Sequence, residues 1–248
     1  VGLILKDSLL SSNSGATIEG LNIYMTKANG KAKIDYALTS AGVEDVIFRD
    51  IKLVLNDKVE ILKKSSADKY QINGQDYIAG GLLANVATST SFVNIDIVLR
   101  NAASNENDIT FGLTNNDDTS SNVAFGLAAG VAEQKSNFSS MTISGIKLSR
   151  ENSNAPIKIG YGNDQTTIAN TLSTGLYVGE AIKSQNAKMT IGVSPLSGIE
   201  QKISFNSIKT ANIGGYVGKA EAISSIEIQQ SMSLEGVSQD TETQMNLT

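Results

Sequence analysis

Hydrophobic and polar residues alternate over short segments along most of this chain. Phe92–Leu99, Met141–Leu148 and Lys188–Val193 place Ile, Val, Met or Leu at nearly every second position, and Asn, Asp, Ser or Gly residues surround them. A period of two is the pattern of a half-buried β-strand, and turn-forming residues at both ends fit that assignment. The pattern therefore predicts an all-β protein with low helix content.

A seven-residue phrase recurs within this pattern, and its starts are 45, 49 and 39 residues apart. It reads GLLANVA at Gly81–Ala87, GLAAGVA at Gly126–Ala132, GLYVGEA at Gly175–Ala181 and GGYVGKA at Gly214–Ala220. Self-similarity at such spacings is typical of repeat architectures. We predict that each phrase forms one strand and that an Ile-rich strand and another short strand follow it, which gives three strands per turn and a three-sided, β-helix-like solenoid over residues 77–248.

The first 76 residues lack a clear phrase and read as a hairpin-rich region. Ile51–Leu62 predicts one hairpin around Asn56-Asp57, and Tyr70–Ile78 predicts another around Asn73-Gly74. We place the boundary between residues 76 and 77 and treat the repeat region as one continuous β domain. These hairpins leave an antiparallel β-sandwich open as the alternative fold.

Strict alternation within the phrase predicts two distinct faces. Leu82, Leu127 and Leu176 would stack in an interior column, and the opposite face would be a smooth strip suited to assembly or docking. The strip consists of Gly130, Ala132, Tyr177, Gly179, Ala181, Tyr216, Gly218 and Ala220. The other interpretation is tight packing against the chain's own loops. Gly179→Gln separates the two, because it would block docking in the first case and unfold the protein in the second.

Composition narrows the chemistry that this chain can perform. His, Cys and Trp are absent, and the net charge is −5. These absences exclude Ser-His-Asp triads, thiolate nucleophiles and His-containing zinc sites, and the charge argues against nucleic-acid binding. No apolar run is long enough for a membrane helix. Asn115–Asp118 could offer oxygen ligands to Ca²⁺, but it lacks the spacing of an EF-hand loop, so we predict a solvated loop there.

The phrase, with its GG-x-x-G variant at Gly214–Gly218, resembles the GLUG-type repeats of bacterial secreted and surface proteins. That resemblance implies an extracellular, non-catalytic protein with no cofactor: a subunit of a surface fibre, a pilus-type filament or an adhesin. Its partners would be further copies of itself, another surface protein or a glycan. The alternatives are a polysaccharide-active parallel β-helix enzyme and a carbohydrate-binding module.

Overall fold

The computed structural model describes most of the chain between residues 16 and 247. The described residues are 16–27, 29, 34, 42–64, 67–100, 106–114, 120–135, 140–162, 166–183, 187–193, 198–205, 207–221, 225–228 and 244–247. They form β-strands and contain no helix, so the protein is all-β as the alternation predicted. Among these same residues, no helix is long and apolar enough to cross a membrane.

The strands are short, and most have four to ten residues. They are β1 (Ala16–Glu19), β2 (Asn22–Met25), β3 (Val43–Glu44), β4 (Val46–Leu55), β5 (Val59–Lys63), β6 (Lys69–Ile72), β7 (Gln75–Gly81), β8 (Ala84–Thr88), β9 (Ser91–Leu99), β10 (Ile109–Leu113), β11 (Asn122–Gly126), β12 (Ala129–Gln134), β13 (Ser140–Ser144), β14 (Lys147–Arg150), β15 (Ile157–Tyr161), β16 (Thr167–Gly175), β17 (Val178–Lys183), β18 (Lys188–Val193), β19 (Ile199–Ile203), β20 (Ser207–Gly214), β21 (Val217–Glu221), β22 (Ser225–Ile228) and β23 (Gln244–Leu247).

The strands assemble into four sheets, and every ladder except β6–β7 is parallel. Sheet I has the order β1-β4-β9-β13-β18-β22, with β2 also on β4 and β14 also on β9. Sheet II is β5-β10-β15-β19, sheet III is β6-β7-β11-β16-β20-β23 and sheet IV is β3-β8-β12-β17-β21. Parallel pairing between strands far apart in sequence requires the chain to travel through other elements before it returns.

From β4 to β21 the chain enters sheets I, II, III and IV in that order and then returns to sheet I. We call each such round a pass. The first pass comprises β4, β5, β7 and β8, the second β9 to β12, the third β13 to β17 and the fourth β18 to β21. Equivalent residues of neighbouring passes lie side by side: Phe48 pairs with Phe92 in sheet I, and Ala87 pairs with Ala132 in sheet IV.

Two features of the predicted fold differ from the structure. The hairpin predicted at Ile51–Leu62 is absent, because β4 pairs with β9 in sheet I whereas β5 pairs with β10 in sheet II. Four sheets replace the three strands per turn, because each glycine phrase contributes to two strands. The hairpin around Asn73-Gly74 is confirmed by the antiparallel β6–β7 pair. Strand β7 runs across the boundary predicted between residues 76 and 77.

The main hydrophobic core draws side chains from all four sheets. Phe48 comes from sheet I, Ile61 from sheet II, Val123 from sheet III and Ala132 from sheet IV, and each is at most 1% exposed. Aromatic rings stack between passes within it. The ring of Phe111 lies 5.6 Å from that of Tyr161, its register partner in sheet II. Stacked passes therefore bury their side chains in columns of like residues.

Tyr161 provides a test of this burial at alkaline pH. Burial raises the pKa of its phenol well above the ordinary value. Above about pH 10, Tyr161 therefore ionises in the unfolded chain but not in the folded one, so stability falls as the pH rises. We expect Tyr161→Phe to reduce that fall by up to about 1.4 kcal/mol per pH unit, because one such group is removed. Urea unfolding of both proteins between pH 9 and 12 measures the slopes, and identical slopes would contradict the prediction.

Candidate functional site

The glycine phrase forms the corner between sheets III and IV. In each copy a strand of sheet III ends at the first glycine, two residues make the turn, and a strand of sheet IV begins at the fourth position. Strand β11, for example, ends at Gly126 and β12 begins at Ala129. The phrase was predicted to be one continuous strand in each copy, and this is wrong because the chain bends sharply at its second and third positions.

The first glycine is required because the corner is tight. A β-carbon on Gly126 would lie 2.6 Å from the carbonyl oxygen of Ala129, three residues further on, and 2.7 Å from that of Tyr177. At these distances the β-carbon and the carbonyl oxygens would overlap sterically. The same conflict with the carbonyl three residues on occurs for Gly81 and Ala84, Gly175 and Val178, and Gly214 and Val217. The phrase is thus the sequence signature of a corner.

The alanines and tyrosines of the predicted strip lie mostly inside the molecule. Ala132, Tyr177 and Ala181 are at most 1% exposed and belong to the main core. Tyr216 is 7% exposed, and its ring stacks on that of Tyr177 with centroids 5.7 Å apart. Ala220, in the last pass, is exposed. The turn within the phrase interrupts the alternation, so residues expected on opposite faces reach the same core. Leu82, Leu127 and Leu176 are buried as predicted.

The glycines at the fifth position of the phrase lie where sheet IV approaches sheet III. Gly130, Gly179 and Gly218 are all buried. A β-carbon on Gly179 would be 2.5 Å from the backbone nitrogen of Phe125, and one on Gly218 would be 2.6 Å from that of Thr174. These glycines allow two backbones of the same chain to approach each other. Seven of the eight residues of the strip are therefore buried in the folded chain, and only Ala220 among them is exposed.

A different set of side chains occupies the opposite faces of sheets III and IV, inside the angle that the corner makes. The sixth position of the phrase forms one column there, since Val86 pairs with Val131, Val131 with Glu180 and Glu180 with Lys219. In sheet III the neighbouring column consists of Ala79, Ala124, Ser173 and Asn212. Both columns are apolar in the first two passes and polar in the next two. The chain thus places a charge in a buried position where valine suffices elsewhere.

Glu180 is the centre of this polar set and is only 1% exposed. Its Oε1 accepts hydrogen bonds from Tyr77 Oη at 2.9 Å and Lys219 Nζ at 3.0 Å. Its Oε2 accepts a hydrogen bond from Ser173 Oγ at 3.2 Å, and Asn212 Nδ2 in turn donates to that hydroxyl at 3.3 Å. We call these five residues the Glu180 cluster. Buried carboxylates require such pairing, because an unpaired buried charge is strongly destabilising.

A polar pocket of about 580 Å³ opens beside the Glu180 cluster. Hairpin β6–β7 contributes Gln71, Gln75 and Asp76 to its lining, and Lys219 of the cluster reaches it from sheet IV. Asn122 also lines it and donates from Nδ2 to Gln75 Oε1 at 3.0 Å. We call this space the amide pocket, because carboxamide side chains make up much of its lining. Its volume is within the range of small-molecule sites.

A β-bulge brings one more carboxamide into the amide pocket. The register of β16 against β20 shifts between Ile168 and Thr171, so β16 has an extra residue there. Asn170 lies within the shift and lines the pocket together with Thr171. Bulges redirect side chains and are frequent beside functional sites. The local irregularity of β16 therefore coincides with a residue that lines the pocket.

The accessible chemistry at this site is recognition by hydrogen bonding. Tyr77 and Glu180 are at most 2% exposed, so a molecule in the pocket does not reach the phenol or the carboxylate. The side chain of Lys219 is 33% exposed and is held at Glu180. Asp76 lies 3.7 Å from Lys69 Nζ and also accepts a hydrogen bond from Gln71. Charges at the pocket are thus already paired, while amides and hydroxyls face the space.

Sequence reasoning did not single out the Glu180 cluster or the amide pocket. A signal for the cluster was present, because the sixth position of the phrase changes from Val86 and Val131 to Glu180 and Lys219. No comparable signal marks the pocket, whose strand residues come from four sheet III strands (β6, β7, β11 and β16) and one sheet IV strand (β21). The candidate Ca²⁺ loop at 115–118 lies outside the described residues.

Comparisons with known proteins add no relative. No protein-family model, curated protein or solved structure matches the chain. The function of this chain is therefore inferred from its own residues and geometry.

Proposed function

We propose that this chain is a β-solenoid that acts as a non-catalytic interaction protein on the outside of a bacterial cell. It would be a subunit of a surface fibre, a pilus-type filament or an adhesin. The observation that carries the proposal is the fixed order of sheets I to IV through four successive passes, with parallel register between equivalent strands. Such passes stack along one axis, and the two ends of the stack expose strand edges with which further copies can pair.

The edge of sheet II supports this mode of association. Strand β19 is the last of the sheet II order, and the described part of the chain pairs no strand on its outer side. Ile157 N donates to Gly198 O at 2.7 Å, and Ser204 N donates to Tyr161 O at 2.8 Å. Since alternate residues of a strand turn their backbone groups to the same side, Gln201 directs its N–H away from β15. That edge is a template for another strand.

The edge proposal predicts a specific effect at Gln201. We expect Gln201→Pro to abolish self-association, because proline removes the outward N–H and blocks strand addition. Gln201→Ala is the matched control: it removes the same acceptor of the Tyr161 hydroxyl hydrogen bond but keeps the N–H. Sedimentation velocity over a range of concentrations and negative-stain microscopy measure assembly. A wild-type protein that is monomeric at all concentrations, or equal assembly of both variants, would contradict the proposal.

The alternative of a polysaccharide-active enzyme is less well supported. A catalytic function would require a Lys–Tyr pair or two carboxylates that converge on a bound substrate. Lys219 and Tyr77 do converge, but they meet at the buried oxygen Oε1 of Glu180. Because these groups are bonded to one another, they are not free to act on a bound substrate. We therefore assign the Glu180 cluster a positioning role rather than a catalytic one.

A further inference from the structure

We infer that the amide pocket binds a neutral saccharide. This inference deepens the proposed surface role and rests on it for its biological meaning, since it names the class of partner that the subunit would contact. The residues that carry it are Gln75, Asn122 and Asn170, which line one space between hairpin β6–β7 and strands of the second, third and fourth passes. They come from three different strands of sheet III.

The lining selects the chemistry of the ligand. A carboxamide offers both a donor and an acceptor, and a hydroxyl does the same, so the lining can bind neighbouring hydroxyl groups on a sugar ring. Among the described lining residues, the one cation, Lys219, is paired with Glu180, and the one anion, Asp76, is near Lys69. A strongly charged ligand would therefore have to displace an existing ion pair. The pocket therefore suits neutral polyhydroxyl compounds better than nucleic acids or acidic peptides.

The buried ion pair beside the amide pocket supports a binding function for the pocket. The sixth-position column carries Val86 and Val131 in the first two passes, whereas the next two passes carry Glu180 and Lys219. Burying this pair offers little stability over apolar residues, so its presence calls for another explanation. Pairing with Glu180 fixes the Lys219 ammonium at the pocket wall, and Tyr77 fixes the carboxylate from the other side.

The bulge in β16 also supports ligand binding at the amide pocket, and it does not depend on the Glu180–Lys219 pair. An uninterrupted ladder with β20 would not need the extra residue between Ile168 and Thr171. The irregularity occurs at the segment that lines the pocket and brings Asn170 to it. Because the described lining residues include no aromatic ring, we expect weak binding by a single subunit. Assembly into a fibre would raise the effective affinity by presenting many pockets together.

The first test uses the whole chain on an array of neutral oligosaccharides built from hexoses and N-acetylhexosamines, with uronic-acid and sulfated oligosaccharides on the same array. We expect the protein to bind to neutral oligosaccharides on the array. The inference would be overturned if the protein bound no neutral oligosaccharide, or bound only the charged oligosaccharides. The strongest neutral oligosaccharide on the array then serves as the probe for titration calorimetry.

The second test assigns binding to the pocket. We expect Asn170→Ala and Gln75→Ala each to weaken affinity for that probe about fivefold to tenfold, the loss of roughly one net hydrogen bond. Asn154→Ala, an exposed carboxamide outside the pocket, is the matched control and should bind like wild type. Unchanged affinity in both pocket variants would overturn the inference. Repeating the titration with Gln201→Pro separates it from the proposed function, because an unassembled chain still contains the pocket.

Discussion

Replacing Gly179 with glutamine is expected to unfold the protein. The backbone nitrogen of Phe125 would lie 2.5 Å from a β-carbon at this position, and the carbonyl oxygen of Gly130 would lie 2.7 Å from it. Phe125 belongs to β11 of sheet III, and Gly130 belongs to β12, the neighbour of β17 within sheet IV. Neither backbone can move without breaking ladder hydrogen bonds. Overpacking typically costs about 1–3 kcal/mol and occasionally more, and we expect the upper end or beyond here because the conflicts are with backbone atoms and the longer glutamine side chain adds further overlap.

Gly42→Gln is the control for the change of residue type. A β-carbon on Gly42 would make only ordinary contacts, the nearest being the carbonyl oxygen of Val86 at 3.6 Å. We expect this variant to lose less than about 1 kcal/mol, as exposed substitutions do. Urea unfolding followed by far-UV circular dichroism compares the two variants. A folded Gly179→Gln protein with a near-wild-type midpoint would mean that the glycine strip is open and that the docking role predicted from the sequence deserves testing.

The local elements of this fold were predictable because their causes are local. Alternation of Ile, Val and Phe with polar residues depends only on the segment itself, and it correctly indicated strands such as β9 and β18. The Asn73-Gly74 hairpin was predictable for the same reason. Both residues have positive φ, 50° and 77°, which two-residue hairpin turns require and which Asn and Gly adopt readily.

The pairing partners of strands were less accessible from the sequence. Ile51–Leu55 and Val59–Ile61 alternate as the arms of a hairpin would, but an identical pattern arises when each strand pairs with the next pass. Likewise, nothing in GLAAGVA states that the chain turns after Gly126. That turn follows from the distances between backbones in three dimensions, which also explain why glycine recurs. Tertiary geometry therefore decided both points on which the sequence interpretation was wrong.

The candidate site illustrates the same limit at the level of side chains. Gln75, Asn122 and Asn170 are separated by almost fifty residues at each step and are ordinary polar residues in sequence. Only the parallel stacking of β7, β11 and β16 brings them to one pocket. The departure from valine at Glu180 and Lys219 was visible in the repeat itself. A polar residue at an otherwise apolar repeat position is thus a useful guide to sites in stacked β proteins.

The second large effect is expected at the buried ion pair of Asp108 and Arg150, whose side chains are 1% and 2% exposed. Arg150 Nη2 donates to Asp108 Oδ2 at 2.5 Å, and the backbone nitrogen of Lys158 donates to the same oxygen at 2.9 Å. Arg150 ends β14 in sheet I, whereas Asp108 and Lys158 belong to adjacent passes at sheet II. The pair therefore connects two sheets in the interior of the fold.

We expect Asp108→Asn to lower the free energy of unfolding by about 3–5 kcal/mol, because it leaves the Arg150 guanidinium buried without its counter-charge. Glu151→Gln is the matched control. Glu151 pairs with Arg100 at 2.8 Å, but both side chains are 39% exposed, and such surface pairs contribute less than about 1 kcal/mol. Urea unfolding at pH 7 measures both variants. Equal, small effects would show that solvent reaches the Asp108 pair, whereas restoration of stability in the double variant Asp108→Asn, Arg150→Met would show that the lost stability came from the unpaired charge.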